Sequence, residues 1–406
     1  MLNLHDLLRW AVDLCLAGAV IGCVYLLAAA WLILRYRINE QRRAPVPVPV
    51  SITVPLCGEE LRLYERLLAL CDQDYPGKVQ IVCGTLNPQD PALAVVRAVQ
   101  KARPSADLQC HADPAVHGHS MKVSNLINIM RHVQYDTLVM IDSDVEVGPD
   151  YLTHVVSELQ QPGVGALTCV YYGVETGTVW SRLSAMTATL HFMPNVIGGL
   201  ALALARPCLG PTIAMSRDML RRIGGISAFV DQLFDDYAIG EAVRATGYSV
   251  TVASFAVGHV YQEQTARGLF ASQLRQACTI KGIDAIGHAG SIITHPFALA
   301  LIALALGGSQ EALALTLAAL GCRIVLLWCM QQRFGAPTND YLLIPVRDRL
   351  QYSHVSFGMM ASLMSRGDNT KSTVRSISQR EPTQPQHRWS SVVIGGHEVG
   401  MAWVEA

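Results

Sequence analysis

The spacing of apolar positions changes repeatedly along this chain, and each change predicts a different element. Leu14 to Leu34 holds no charge. At 1.5 Å per residue such a run makes a helix about 30 Å long, enough to cross a bilayer. It is too long for the apolar part of a signal peptide, and no clean small-x-small cleavage site follows it. It ends instead in Arg35, Arg37, Arg42 and Arg43, which the positive-inside rule places in the cytosol, with the amino terminus outside. Pro45, Pro47 and Pro49 alternate with valine and read as a stiff linker.

From there, short apolar runs alternate with helical spacing. Ser51 to Leu56 reads as a strand and Glu60 to Leu70 as a helix, with leucines at 61, 63, 67, 68 and 70. A strand follows at Val79 to Cys83, a helix at Pro91 to Ala102, and a strand beginning at Leu108. A helix at Ser120 to Val133 and a strand at Thr137 to Ile141 continue the pattern. This alternation predicts an α/β fold with a mostly parallel sheet covered by helices, whose ligands sit at the carboxyl ends of the strands.

A second apolar region runs from Ile292 to Met330, interrupted by Gly307 to Glu311 and carrying Arg323. Its halves are short for full spans and are expected to form a helical hairpin, with re-entrant or interfacial helices as the alternative. Tyr341 to Met364 is amphipathic and suits a membrane surface. Ser365 to His387 is too polar to bury a core and is expected to be a mobile loop. The expected organisation is an anchor over 1–44, a catalytic domain over 45–285, membrane-associated helices over 286–365, and a polar loop and tail over 366–406.

Composition agrees with a membrane protein. Of 406 residues, 51% are hydrophobic and 16% charged, where soluble domains run nearer a quarter charged. A net charge of −1 sets up no field to attract nucleic acid. Eleven scattered cysteines without a C-x-x-C pair argue against a disulfide framework or a zinc site. The thirteen histidines form no H-E-x-x-H, and Walker, G-x-S-x-G and dinucleotide glycine motifs are absent.

The strongest candidate chemistry is Leu138-Val-Met-Ile-Asp142-Ser-Asp144, an apolar strand running into two carboxylates. If the extension holds, both point the same way. They are hard oxygen ligands suited to Mg²⁺ or Mn²⁺, and such an ion neutralises a diphosphate. The plain alternative is a solvated strand-to-turn junction. Asp235 and Asp236 precede a helix-like segment, where two readings stand: capping by the dipole rule, or a general base raised by its like-charged neighbour. Asp90 lies in a turn-rich segment after the second strand. Lys122 starts a helix and could meet phosphate there, or be solvated. Arg275 and Lys281, next to the second apolar region, suit phosphate or lipid headgroups, or plain interfacial charge.

Together these pieces resemble the ceramide glucosyltransferase family, glycosyltransferase family 21, and look most like its bacterial hopanoid-biosynthesis-associated branch. The resemblance rests on Pro55-Leu-Cys-Gly58-x-Glu60, Leu70-Cys-Asp-Gln-Asp-Tyr-Pro76, Asp90-Pro-Ala, Gly118-x-x-x-Lys122-Val-x-Asn125-Leu126, Asp142-Ser-Asp144, Gly210-Pro-Thr-Ile-Ala214-Met, Ile223-Gly-Gly225 and Asp235-Asp-Tyr-Ala-Ile-Gly240, in that order. It implies a GT-A nucleotide-diphospho-sugar fold and an inverting transfer of glucose or N-acetylglucosamine from a UDP-sugar. The acceptor implied is a membrane lipid, a hopanoid polyol or a ceramide-like lipid, at the cytosolic face of a bacterial inner membrane. Asp90 would lie near the uridine, Asp142 and Asp144 would hold metal and diphosphate, Asp236 would be the base, and Asp235 would tune it. Lys122 and Arg275 are candidate donor contacts. Relatives usually have aspartate at Asn87, and carry a (Gln/Arg)-x-x-Arg-Trp element where this chain has Ser272-Gln-Leu-Arg275-Gln276. The aromatic platform expected near the acceptor is therefore missing. Two other readings are a catalytically impaired lipid-binding or scaffold relative, and a polysaccharide synthase, for which three short apolar segments are too few.

Overall fold

The computed structural model describes residues 3–36, 46–232, 234–364, 389–394 and 397–403. The loop expected at Ser365 to His387 lies outside the described residues. In chain order the elements are α1 (Leu4–Arg35), β1 (Val50–Pro55), α2 (Leu63–Cys71), β2 (Val79–Thr85), α3 (Ala92–Ala102), β3 (Asp107–Ala112), α4 (Met121–Met130), β4 (Thr137–Ile141), β5 (Val145–Glu146) and α5 (Tyr151–Leu159). Then come β6 (Val164–Glu175), α6 (Val179–Thr187), a π-helical turn Ala188–Phe192, α7 (Met193–Ala201), β7 (Thr212–Ser216), α8 (Arg217–Arg222), α9 (Asp235–Ala245) and β8 (Ser249–Tyr261). The chain continues with α10 (Ala266–Ile283), α11 (Ala285–Gly290), α12 (Pro296–Gly307), α13 (Gln310–Phe334) and α14 (Ile344–Met364), and ends in β9 (Trp389–Ile394) and β10 (His397–Trp403).

Eight strands form one sheet in the order β3-β2-β1-β4-β7-β6-β8-β5. The half read from sequence is parallel: β1 pairs with β2 and β4, and β2 with β3. The sheet as a whole is mixed, because β7 lies antiparallel between β4 and β6. β6 and β8 then run parallel over their length. Strands of the parallel half are buried on both faces, as Val50 to Val54 show, which explains their continuous apolar runs. One core packs α2, α3 and α5 on one face, through Leu67, Val96 and Val155. The other packs α4 and α9 on the opposite face, through Leu126, Ile129, Ile239 and Val243. Both α4 and α9 thus begin beside the carboxyl end of β4.

The membrane elements follow a different packing rule. The buried residues of α1 are Ala19, Gly22, Leu26, Ala29, Ala30 and Ile33, one stripe at helical period. The stripe is mostly small, which lets helices approach closely; a Cβ on Gly22 would enter the backbone oxygen of Ile293 and the ring of Pro296. Around the rest of α1, Leu14, Val24 and Trp31 are exposed. A helix apolar all round with one covered stripe has the surface of one that lipid can surround. Two helices are long and apolar enough to cross a membrane, α1 with 32 residues and α13 with 25. α13 is longer than the sequence reading allowed, because the helix extends past both ends of the apolar stretch, from Gln310 to Phe334, with Arg323 inside it. That guanidinium is buried and fully used: Nε donates to Asp348 Oδ2 at 3.0 Å, Nη1 to Leu190 O at 2.6 Å, and Nη2 to Thr294 O at 2.8 Å. Such pairing is how a charge survives among apolar helices. α12 turns into α13 through Gly308, which caps it in the left-handed conformation, and the segment Ile286–Thr294 meets α12 at a 65° bend. In the tail, β9 and β10 pair as antiparallel strands.

Candidate active site

β4 ends at Ile141 and a turn begins at Ser143, so the extension assumed for the acidic pair does not hold. Asp142 lines a pocket at the strand end; Asp144 sits against β8, with its Oδ2 3.5 Å from His259 Nε2. The two carboxylates still feel each other electrostatically. The turn is held from below by Arg66 of α2, buried and absent from the sequence candidates. Its Nε donates to Ser143 O at 2.5 Å, Nη1 to Leu61 O at 2.6 Å, and Nη2 to Glu60 Oε2 at 2.7 Å. Ser143 Oγ donates to Glu60 Oε1 at 2.5 Å. Burial raises the Glu60 carboxyl to about 7, against the opposing pull of Ser143 and Arg66. No periodicity could flag Arg66, since it reads as one more polar position on an amphipathic helix. Glu60 was visible only as part of a motif.

The pocket has a volume of ≈ 310 Å³ and apolar walls that include Leu126, Met140, Ile213 and Ile239. Lys122, Asp142, Gly210, Asp235 and Asp236 meet in it. Lys122 Nζ lies 2.7 Å from Asp142 Oδ1 and 3.8 Å from Asp236 Oδ1. Lys122 sits in the first turn of α4, where a cation is disfavoured by the helix dipole. The carboxylates overcome this: burial works against its charge, but Asp142, Asp236 and Asp235 hold the ammonium well above its ordinary range. The α4 start is itself fixed by Ser120, whose Oγ accepts from Val123 N at 3.2 Å, and by Ser120 N donating to Val230 O at 2.8 Å.

The adjacent aspartates both line the pocket but differ in their bonding. Asp235 Oδ1 accepts from the backbone N–H of Asp236 at 3.0 Å, a local bond at the helix start. Asp236 faces the pocket. Burial pushes its carboxyl up, the charges of Asp235 and Asp142 add to this, and Lys122 opposes it, leaving a pKa of about 7. Burial raises Asp142 as well.

Two candidates stand apart from this cluster. Asp90 is buried and its carboxylate is taken: Oδ2 accepts from Gly58 N at 2.9 Å and Thr85 Oγ1 at 3.0 Å, and Oδ1 accepts from Ala92 N at 2.9 Å. It ties the loop after β1, the end of β2 and the start of α3 together. Arg275 is exposed on α10 and does not line the pocket. Gln276, where the family resemblance puts tryptophan, lies beside the buried Tyr261 at the end of β8, and Ser272 lies beside Glu263.

Among the described residues no three His, Cys, Asp or Glu side chains form a metal cage. Asp142 and Asp144 nonetheless suit Mg²⁺ or Mn²⁺, which need only one or two carboxylates when substrate phosphates complete the shell. Asp144 Oδ1 is buried and without a hydrogen-bond partner among the described residues, as a ligand oxygen should be.

Ceramide glucosyltransferase 1 of Caenorhabditis elegans is 22% identical over 251 residues, 60% of this chain and 52% of that protein. A ceramide glucosyltransferase of Gibberella zeae is 28% identical over 177 residues, 39% of this chain and 34% of that protein. The chain thus spans about half the length of the nematode relative and less of the fungal one. In fold it is similar to the mannosyltransferase PcManGT from Pyrobaculum calidifontis, solved with GDP-Man and Mn²⁺, with a TM-score of 0.50, 22% identity, and coverage of 84% of this chain and 99% of that one. The sheet and its helices are of the GT-A type. A family model described as Glycosyl transferase family 21 matches residues 14–354, and the chain belongs to that family.

Proposed function

We propose that this protein is an inverting glycosyltransferase that moves glucose or N-acetylglucosamine from a UDP-sugar to a hydroxyl of a membrane lipid, a hopanoid polyol or a ceramide-like lipid. One observation carries the reading: a carboxylate titrating near 7, Asp236, shares a pocket and a lysine with Asp142 of the acidic turn. A base poised near the working pH is what removal of a proton from an alcohol requires.

In this scheme Asp236 takes the proton of the acceptor hydroxyl. That oxygen forms a bond to the anomeric carbon from the face opposite the leaving group. The bond from the anomeric carbon to the diphosphate oxygen breaks, and UDP leaves with the electron pair. Asp142 and Asp144 are the residues that would hold a divalent cation, which when bound neutralises charge developing on the departing diphosphate. Lys122 supplies a second positive charge at the same end of the sheet. Arg66 and Glu60 keep the acidic turn rigid. Asp90 shapes the nucleotide side through the Gly58 loop, and Arg275 offers an outer phosphate contact. Residues 45–285 form the catalytic unit, residues 1–44 anchor it, and residues 286–365 pack at the membrane. The arginines after α1 put the catalytic unit in the cytosol of a bacterial cell.

The test is UDP release by detergent-purified protein given UDP-glucose or UDP-N-acetylglucosamine, each with a hopanoid polyol or a ceramide, with and without Mn²⁺. Metal-dependent release with one pairing is expected. UDP binding without release from any pairing would instead identify a catalytically impaired relative, the reading that Asn87 and Gln276 favour.

A further inference from the structure

A second cleft, half open to solvent, lies between α6, α10 and α14, with ≈ 180 Å³ of free space including its mouth. Leu183, Thr187, Leu269, Gln273, Arg347, Leu350 and Gln351 line it, and none of them lines the pocket of Asp236. Two of its polar side chains are deeply buried, Arg347 at 1% exposure and Gln273 at 3%.

The charges around it do not balance. Asp348 is the acid that both arginines use: Arg323 Nε donates to its Oδ2 at 3.0 Å and Arg347 Nη1 to its Oδ1 at 2.5 Å. Two guanidinium groups against one carboxylate leave one positive charge. Arg323 spends its remaining donors on the carbonyls of Leu190 and Thr294. Arg347 does not: its Nε and Nη2 have no hydrogen-bond partner among the described residues, and neither do the two amide atoms of Gln273. Nε and Nη2 form the side edge of the guanidinium, a two-pronged donor whose spacing matches two oxygens of one oxyanion. A buried guanidinium with an idle edge is costly unless something accepts those hydrogen bonds. Leucine walls lower the local dielectric and strengthen any such contact. Desolvation lowers the Arg347 pKa to about 10, so the group is still charged at neutral pH.

We propose that this cavity is a binding site for a phosphate-type oxyanion, held by the Nε and Nη2 edge of Arg347 with Gln273 Nε2 as a third donor. The phosphate of an anionic lipid headgroup and free phosphate share this chemistry. The site's position beside the membrane helices, with α14 packed on α10, α12 and α13, suits the first source.

The experiment uses full-length protein and three variants: Gln273→Leu, Arg347→Gln and Arg347→Lys. One arm follows the melting temperature in detergent as inorganic phosphate replaces chloride at fixed ionic strength. The other reconstitutes the protein in phosphatidylcholine vesicles with or without phosphatidylglycerol, extracts it, and counts retained lipid by native mass spectrometry. Wild type is expected to be stabilised by phosphate, by phosphatidylglycerol, or by both, and the responding arm names the source. Arg347→Gln should weaken binding roughly tenfold to a hundredfold, the effect of losing a charge-assisted pair, and Arg347→Lys should restore little of it because a point charge lacks the fork. Gln273→Leu breaks no hydrogen bond among the described residues, so it tests the site even if the arginine variants do not fold. It should weaken binding about fivefold, with a normal melting transition in chloride. Wild type unmoved in both arms, or Gln273→Leu responding as wild type does, would overturn the proposal.

Discussion

Asp236 Oδ2 lies against the backbone of Gly210, inside the space that a Cβ at position 210 would fill. The loop before β7 therefore sets where the proposed base can stand, and the same Cβ would also crowd Asp142 Oδ2, at 3.3 Å. Gly210→Ala is expected to displace Asp236 and lower turnover about a hundredfold, the usual consequence of misplacing a reacting group by an ångström. A transferase assay alongside a melting curve checks this. Wild-type turnover in a folded variant would show that Asp236 need not sit where it does.

Asp236→Asn removes the proposed base and should lower kcat by about 10²–10⁴ while UDP still binds. The same substitution should stabilise the protein at neutral and alkaline pH. A carboxyl raised to about 7 in the fold binds more protons than in the unfolded chain, where it titrates near 3.8. Its ionisation therefore costs stability progressively as pH rises from about 4 to about 7. The melting temperature of Asp236→Asn should exceed that of wild type above pH 7, and the gap should close towards pH 4. A gap that is constant across this range would mean that Asp236 is not raised.

Much of this site was legible, and the remainder was hidden for identifiable reasons. Asp142, Asp144 and Asp236 stand at the ends of apolar runs where carboxylates have no packing role, so sequence exposes them. The difference in bonding between Asp235 and Asp236 depends on which carboxylate meets a backbone N–H, which a strand-then-helix pattern does not encode. The parallel half of the sheet follows from βα alternation. The reversed direction of β7 does not, because a strand buried on both faces reads the same either way. Arg323 read as a charge inside an apolar run with no partner in view, since Asp348 lies 25 positions further on. Asp90 read as part of a turn, and its three donors come from three separate segments.

Arg66 should matter to stability more than any other charged residue on α2. Arg66→Met leaves Glu60 buried without its partner and Ser143 O without its donor. Breaking a buried pair of this kind costs about 3–5 kcal/mol, read as a lower denaturant midpoint. Adding Glu60→Gln should recover part of the loss, because the stranded charge is then gone. Full additivity of the two substitutions would show that Arg66 and Glu60 act separately.

Lys122 tests whether the two carboxylates are electrically joined. Its ammonium opposes the rise in the Asp236 pKa caused by burial, Asp235 and Asp142. Lys122→Met is therefore expected to raise the Asp236 pKa further. The base is active when ionised, so the acid limb of the pH–rate profile should move to higher pH, by about one unit for each 1.4 kcal/mol of lost attraction. Donor affinity should fall as well if Lys122 faces the diphosphate, whereas a lysine that serves only Asp236 would leave affinity unchanged and shift the limb alone. The two readouts are independent, so comparing kcat/KM profiles with UDP titrations assigns the lysine to the base, to the leaving group, or to both. An unshifted acid limb would break the electrostatic link between Lys122 and Asp236 on which the proposed base rests.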